Sequence, residues 1–112
     1  MRLVVAIIKP FKYDEICDAL AKIGIEGGTA TAVQGFGRQR GQNEMYCGSE
    51  YVVSFLPKIK LEILVPLAQV DAVVETICQT AHTGRIRDGK IFVLDAGETA
   101  AISGPVLSAT IA

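Results

Sequence analysis

The segment that decides how this chain is organised is Gly35–Pro57, GFGRQRGQNEMYCGSEYVVSFLP. Strand-like runs flank it, TATAVQ at 29–34 and KIKLEILV at 58–65. Hairpin loops usually span about 2–5 residues, so a connection this long in a small domain is either functional or disordered. Its early glycines and its Gln, Asn, Glu and Arg content predict a loop. Two interpretations stay open: an insertion without a role, and a mobile arm that a ligand orders or a partner contacts.

The composition is that of one domain of 112 residues, of which half are apolar and 6% aromatic. Such a chain can bury a core without a disulfide or a metal. Its net charge of −1 excludes a general attraction to nucleic acid or anionic lipid, and no apolar run has the roughly 18 residues of a membrane span. The cysteines, Cys17, Cys47 and Cys78, have no metal spacing and predict reduced thiols in a cytoplasm, with Cys17 and Cys78 as small core residues.

The first half of the chain changes from a strand pattern to a helix pattern and back. Arg2–Lys9 is rich in β-branched residues and apolar on both faces, which predicts a strand that ends before Pro10. From Lys12 the apolar positions follow a helical period up to Gly24, which is a suitable C-cap. Residues 29–34 then alternate as a second strand.

The second half repeats this order. Lys58–Val65 alternates, with Ile59, Leu61, Ile63 and Val65 on one face. The stripe Val70, Val73, Val74, Ile77, Cys78 and Ala81 predicts a helix that ends by residues 83–84. A compact loop, HTGRIRDGK at 82–90, leads to a fourth strand at 91–94.

The order strand, helix, strand, strand, helix, strand predicts an α+β domain of the ferredoxin-like type, a split βαβ fold (βαββαβ). Its four-stranded antiparallel sheet would carry both helices on one face. The open face would include Lys58, Lys60 and Glu62, and in one assignment of the faces also Val4, Ala6 and Ile8. Because that face is partly apolar, we expect a homo-oligomer.

Two loops have the composition of anion sites. The loop at 82–90 offers glycines, Arg85, Arg87 and Lys90, and the first loop offers Gly35, Gly37, Arg38 and Gln39. Glycines let backbone amides approach an anion, although a solvated turn explains the 82–90 loop equally well. Neither loop supplies a nucleophile with a base, so the sequence predicts no enzyme.

Five motifs in register resemble the PII nitrogen-regulatory signal proteins. They are IIKPFK at 7–12, GFGRQRG at 35–41, EMYCGSEY at 44–51, FLPKIKLEI at 55–63 and TGRIRDGKIFV at 83–93. The resemblance implies a single domain, 1–112, that forms a homotrimer, with a T-loop at about 37–55, a B-loop at 82–90 and a C-terminal segment at 97–112.

The same resemblance implies a ligand and a way of acting. ATP or ADP would bind in clefts between subunits, Mg and 2-oxoglutarate would join ATP, and the T-loop would dock on an ammonium channel, a metabolic enzyme or a regulator. By position, the nucleotide-binding residues would be Ile7, Thr29, Gly37, Arg38, Gln39, Lys58, Glu62, Leu64, Thr83, Gly84, Arg87, Asp88, Gly89 and Lys90. Among these, Gln39 would meet Mg, and Gln39, Lys58 and Arg87 would meet 2-oxoglutarate.

The T-loop would carry the contacts with other proteins. The resemblance implies modification at Tyr51 or Ser49 and partner contacts at Tyr46, Cys47 and Tyr51. Three departures from the family pattern affect ligand binding: Arg87 replaces a glycine, and Ala101 and Ser103 replace two arginines. A fourth, Cys47, replaces the arginine that some members insert into a channel.

Three alternatives follow. The departures allow an interaction trimer that has lost normal nucleotide and 2-oxoglutarate binding and acts through partner proteins or mixed trimers. A small enzyme of the acyl-phosphatase type lacks an evident arginine–asparagine pair. An RNA-binding sheet lacks the necessary aromatic pattern.

Overall fold

The computed structural model describes residues 1–40, 51–85 and 88–103, with 37–40 and 51–54 as backbone. The elements run β1 (Arg2–Ile8), α1 (Tyr13–Lys22), β2 (Thr29–Arg40), β3 (Tyr51–Val65), α2 (Val70–Ala81) and β4 (Gly89–Asp95). The strands form one antiparallel sheet in the order β2-β3-β1-β4. Both helices pack on one face, so the predicted ferredoxin-like architecture is confirmed.

The core lies between the helices and one face of the sheet. Alternate residues of β1 and β3 point into it and meet Ile16 and Leu20 of α1 and Val73 and Ile77 of α2. The core-facing strand residues are Val4, Ala6, Ile8, Leu61, Ile63 and Val65. The period-2 and period-3.6 patterns of the sequence therefore meet at one shared surface.

The end of α1 shows how one glycine sets a chain reversal. Gly24 has φ of +89° and donates its N–H to the carbonyl of Ala21. The N–H of Ile25 reaches the carbonyl of Leu20, and the Ile25 side chain packs against the core. These bonds form a Schellman motif, so the predicted C-cap is confirmed.

The conditional assignment of the open face is wrong for three residues. Val4, Ala6 and Ile8 are buried beneath the helices. Pairing across the sheet places Val5 opposite Glu62 and Phe92, on the face away from the helices. Both alternating sets of β1 are apolar, so the sequence of that strand alone does not distinguish them.

The open face carries the expected polar residues together with apolar ones. Lys60 and Glu62 lie there as predicted, as Ile7 opposes Lys60 and Val5 opposes Glu62. The same face presents Leu3, Leu64, Phe92 and Leu94, of which Phe92 and Leu94 are exposed. An exposed apolar sheet face is typical of a surface that another chain covers.

The predicted loop over 35–57 is wrong at both ends. β2 continues to Arg40 and β3 begins at Tyr51, with Arg40 opposite Tyr51 and Gly35 opposite Leu56. The two strands thus extend past the end of β1 as a two-stranded arm, which we define as residues 35–40 and 51–56. Residues 41–50 lie outside the described part of the chain.

Two smaller expectations also change. β4 begins at Gly89, inside the predicted 82–90 loop, and ends at Asp95. Cys78 is exposed and Cys17 half-buried, so neither is a fully buried core residue. Within the described ranges, no helix combines the length and apolar character needed to cross a membrane.

Candidate functional site

A cavity opens where the arm leaves the sheet. It has a volume of about 240 Å³ and is lined by Ile7, Gly35, Phe36, Leu56, Lys58, Gly89 and Lys90. The ends of β1 and β4 meet β2 and β3 at this point, because Ile7 opposes both Lys60 and Lys90. The cavity therefore brings together predicted site residues from three strands that are distant in sequence.

The charges at this cavity are positive. Its described lining includes two cationic residues, Lys58 and Lys90, and no carboxylate residue. Lys58 is largely buried, with 8% of its surface exposed, whereas Lys90 is exposed. A cavity with two cations and strand-end backbone is suited to an anion.

Two glycines allow the close packing around the cavity. A Cβ on Gly89 would lie 2.0 Å from the carbonyl oxygen of Ile7, and Gly89 has φ of +131°. A Cβ on Gly35 would lie 3.3 Å from Cγ of Lys58. Gly89 was among the predicted nucleotide-binding residues, and Gly35 was predicted as a glycine of the first anion-site loop, although its strand pairing was not predicted.

Asp88 lies beside the cavity and is surrounded by donors. Its carboxylate accepts hydrogen bonds from the amides of Thr83 (2.9 Å) and Gly84 (3.1 Å) and from the hydroxyl of Thr83. Nζ of Lys9 lies 3.2 Å from Oδ1, and Nδ1 of His82 lies 3.7 Å from Oδ2. The Thr83 hydroxyl and amide, followed by Lys9, hold the pKa of Asp88 well below its usual range.

Lys9 is a residue of this site that the sequence interpretation missed. It follows β1 directly, where the motif IIKPFK marks it only as a strand end. Its ammonium reaches across to Asp88, 79 positions later in the chain. A local pattern gives no signal for such a long-range pair.

A second group of predicted residues lies elsewhere on the open face. Thr29 opposes Glu62 in the β2–β3 ladder, and Leu64 opposes Leu3. Glu62 lies four positions after Lys58 on the same strand, which corresponds to a distance of about 13 Å along β3. One chain therefore does not bring Thr29, Glu62 and Leu64 to the cavity of Lys58 and Lys90.

The remaining predicted residues have partial descriptions or none. The backbones of Gly37, Arg38 and Gln39 oppose Ser54, Val53 and Val52 in the arm. Tyr51 opens β3, Ala101 is half-buried and Ser103 is exposed. The predictions for Tyr46, Cys47, Ser49 and Arg87 fall outside the described residues.

Two larger cavities lie elsewhere in the described part of the chain. A cavity of about 430 Å³ lies between α1, the turn that follows it and β3, on the helix side, and Glu26 is its only carboxylate among the described lining residues. Another, of about 350 Å³, lies between α2 and β1–β4, next to Asp88. Of these three cavities, only the one at the base of the arm is lined by both Lys58 and Lys90, so we take it as the candidate site.

Comparison with known proteins agrees with these features. The family model described as Nitrogen regulatory protein P-II matches residues 1–104. The chain is 59% identical over 95 residues to Nitrogen regulatory protein P-II 1 of Escherichia coli K12, covering 85% of each chain. Over the same length and coverage it is 58% identical to Nitrogen regulatory protein P-II of Klebsiella oxytoca and 56% identical to that of Pasteurella multocida. The chain therefore belongs to the nitrogen regulatory protein P-II family, whose members are signal-transduction regulators and not enzymes.

Proposed function

We propose that this regulator binds ADP or ATP between the protomers of a homotrimer and transmits the bound state through its arm to target proteins. The observation that supports this most is the position of the cavity. Lys58 and Lys90 line it together with Gly35 and Leu56, which are the first cross-strand pair of the arm. A ligand at these cations would contact the base of the arm directly.

The division of the predicted residues supports a site between subunits. A cavity of about 240 Å³ is below the roughly 300–1,000 Å³ of a typical small-molecule site. The phosphates would lie at Lys58 and Lys90, and the adenosine would reach Thr29, Glu62 and Leu64 of a neighbouring copy. The apolar residues of the open face would be buried by the same association.

The described donors fit a nucleoside phosphate. Two lysines and closely packed backbone line the cavity, and no described lining residue carries a competing negative charge. Mg bound with ATP would offset part of the phosphate charge. The proposed roles of Gln39 toward Mg, and of Gln39, Lys58 and Arg87 toward 2-oxoglutarate, follow from the family resemblance.

The proposed targets are an ammonium channel, a metabolic enzyme or another regulator, in the cytoplasm. Docking would use Tyr46, Cys47 and Tyr51, and modification at Tyr51 or Ser49 would alter its charge. These assignments also follow from the resemblance.

Isothermal titration calorimetry with ADP and ATP, with and without Mg and 2-oxoglutarate, tests the proposal. A charge-assisted hydrogen bond contributes about 1.5–3 kcal/mol. Lys90→Met should therefore weaken ADP binding by roughly 10- to 150-fold. Lys22→Met, at the far end of α1, makes the same change of charge and should leave binding unaltered. Equal affinities for the two variants would contradict the proposed site.

The quaternary structure needs its own measurement. Size-exclusion chromatography with light scattering should give a mass about three times that of one chain. Val5→Glu would place a charge in the middle of the open face, where Val5 is 2% exposed, and should reduce that mass. A monomeric wild-type protein would refute an inter-subunit site.

A second candidate function is an interaction trimer without nucleotide. Ala101 and Ser103 favour it, because neither supplies the cation that the family pattern has at these positions. In the titrations, this candidate predicts no heat for ADP or ATP and retained binding to a partner protein. Binding of either nucleotide at micromolar concentration would exclude it.

A further inference from the structure

The carboxylate of Asp88 is fully engaged within the chain. Oδ2 accepts the amides of Thr83 and Gly84 at 2.9 and 3.1 Å, and Oδ1 accepts the Thr83 hydroxyl and Nζ of Lys9 at 3.2 Å. Four donors from two separate segments therefore meet at one side chain. A carboxylate in this state has little capacity left for a metal ion, and its charge would repel a phosphate.

Lys9 connects this cluster to the sheet. It follows the last residue of β1, and its side chain and that of Asp88 are each 20% exposed. A partly buried ion pair is screened less by salt than a pair on the surface. The pair therefore ties the segment after α2 to the end of β1.

The next two residues after Asp88 line the candidate cavity. Gly89 lies against the carbonyl of Ile7, at a distance that leaves no space for a Cβ, and Lys90 pairs with Ile7 across the ladder. The position of Gly89 is thus fixed on one side by β1 and on the other by Asp88. A shift of Asp88 would move the Gly89 backbone and the start of the Lys90 side chain.

From these contacts we infer that Lys9 and Asp88 are positioning residues for an anionic ligand, here the phosphate groups of the proposed nucleotide. The pair holds Asp88, and with it Thr83 and Gly84, against the end of β1, so that Gly89 and Lys90 are already in place before the ligand arrives. Asp88 acts through its neighbours and does not itself bind phosphate or metal. The inference rests on the proposed nucleotide site. It adds to that site Lys9, which is not among the predicted nucleotide-binding residues.

A double-mutant cycle separates this role from direct contact. Lys9→Met, Asp88→Asn and the double variant are titrated with ADP and with adenosine. If Lys9 acts through Asp88, each single change should weaken ADP binding about tenfold or more, and the double variant should be within about twofold of the weaker single one. Adenosine binding should stay within about twofold of wild type. If instead the losses of ADP affinity in the two single variants multiply in the double variant, the two residues act independently. That result would indicate direct contact with the ligand and overturn the inference.

Two controls address charge and folding. Lys12→Met removes a cation three residues away that pairs with Glu15 at 3.6 Å, and it should leave ADP binding unchanged. Lys9→Arg keeps the charge near Asp88 and should retain at least a third of the wild-type affinity. Circular dichroism and the solution mass show whether each variant is folded and assembled. An equal loss in Lys12→Met and Lys9→Met would overturn the inference.

Amide hydrogen exchange tests the positioning role of Lys9 and Asp88 independently of nucleotide binding. The amides of Thr83 and Gly84 donate to Asp88, so in Lys9→Met they should exchange at least tenfold faster than in wild type, with the α2 amides unchanged. Unaltered exchange would overturn the positioning role. Failure of the wild type to bind any nucleotide would instead refute the proposed function. The exchange rates of the Thr83 and Gly84 amides would still decide whether Lys9 and Asp88 hold these residues in place.

Discussion

Replacing Gly89 by alanine should disrupt the point where β4 joins the sheet. The new Cβ would lie 2.0 Å from the carbonyl oxygen of Ile7 and 3.2 Å from its carbonyl carbon. Both contacts are with backbone, so no side-chain rotation relieves them. The start of β4 must move away from β1, where Ile8 opposes Gly89 and Ile7 opposes Lys90.

The expected magnitude has two parts. A non-glycine residue held at a rare φ such as +131° costs on the order of 1–3 kcal/mol. Weakening one or two hydrogen bonds at the end of the β1–β4 ladder adds roughly 0.5–1.5 kcal/mol each. We therefore expect a loss of about 2–4 kcal/mol in the free energy of unfolding, which lowers the urea midpoint by on the order of 1–2 M.

Urea denaturation followed by circular dichroism measures this loss. The chain has no tryptophan, so helix signal is the suitable probe. All variants must be compared at one protein concentration, because association adds to the apparent stability. ADP titration of the same variant should show weaker binding, since Gly89 and Lys90 line the cavity together.

Alanine substitutions at two other glycines measure backbone strain and steric crowding separately. Gly97 has φ of +67° with nothing within 4 Å of an added Cβ, so Gly97→Ala should cost only about 1–2 kcal/mol, from the backbone alone. Gly28 lacks positive φ, and its Cβ would lie 3.1 Å from the Glu62 carbonyl oxygen. Gly28→Ala should cost less than about 1 kcal/mol. If Gly89→Ala is no more destabilising than Gly97→Ala, the close approach to Ile7 does not constrain the fold and the reasoning is wrong.

Two further predictions concern the core and acid pH. Ile77 is fully buried between α2 and the sheet, so Ile77→Ala should lower the free energy of unfolding by about 2–5 kcal/mol, against almost no change for the exposed Ile102→Ala; equal midpoints in urea would contradict the core assignment. Because the folded-state pKa of Asp88 is below its ordinary value of 3.8, its ionised form stabilises the fold above about pH 4, and this stabilisation is lost as the pH falls further. Asp88→Asn should thus lose less stability than wild type between pH 5 and 3, and parallel pH profiles would refute this role.

The elements with one clear period were predictable from the sequence. The stripe from Val70 to Ala81 predicted the α2 helix and its end before residues 83–84, and the alternation at Lys58–Val65 identified the core face of β3. Both patterns arise from burial against a single surface, which is a property that nearby residues share. The Schellman motif at Gly24 was predictable for the same reason, because its bonds lie within one turn of chain.

The arm was not predictable in this way. Residues 35–40 contain two glycines, two arginines and a glutamine, a composition that β propensity disfavours. In the structure these residues continue a ladder that β2 and β3 have already begun, so each further pair adds to an existing sheet. Pairing between distant segments outweighs local composition here, and no local window contains that information.

Asp88 shows a different limit. In the sequence GRIRDGK a carboxylate between basic residues and glycine fits a ligand for metal, a partner for arginine or a fixed point of the loop. The structure favours the last, because the donors that meet Asp88 come from Thr83, Gly84 and the distant Lys9. The same charge therefore has a role that depends on the geometry of its partners, which a motif does not specify.

Under the proposed function, the geometry at the cavity places the ligand next to the base of the arm. Gly35 and Leu56 form a cross-strand pair at the base of the arm, and both line the cavity with Lys58 and Lys90. A Cβ on Gly35 would lie 3.3 Å from Cγ of Lys58, so a larger residue at position 35 would crowd the Lys58 stem. Under the proposed function, a bulkier residue at position 35 would therefore alter both ligand binding and the base of the arm.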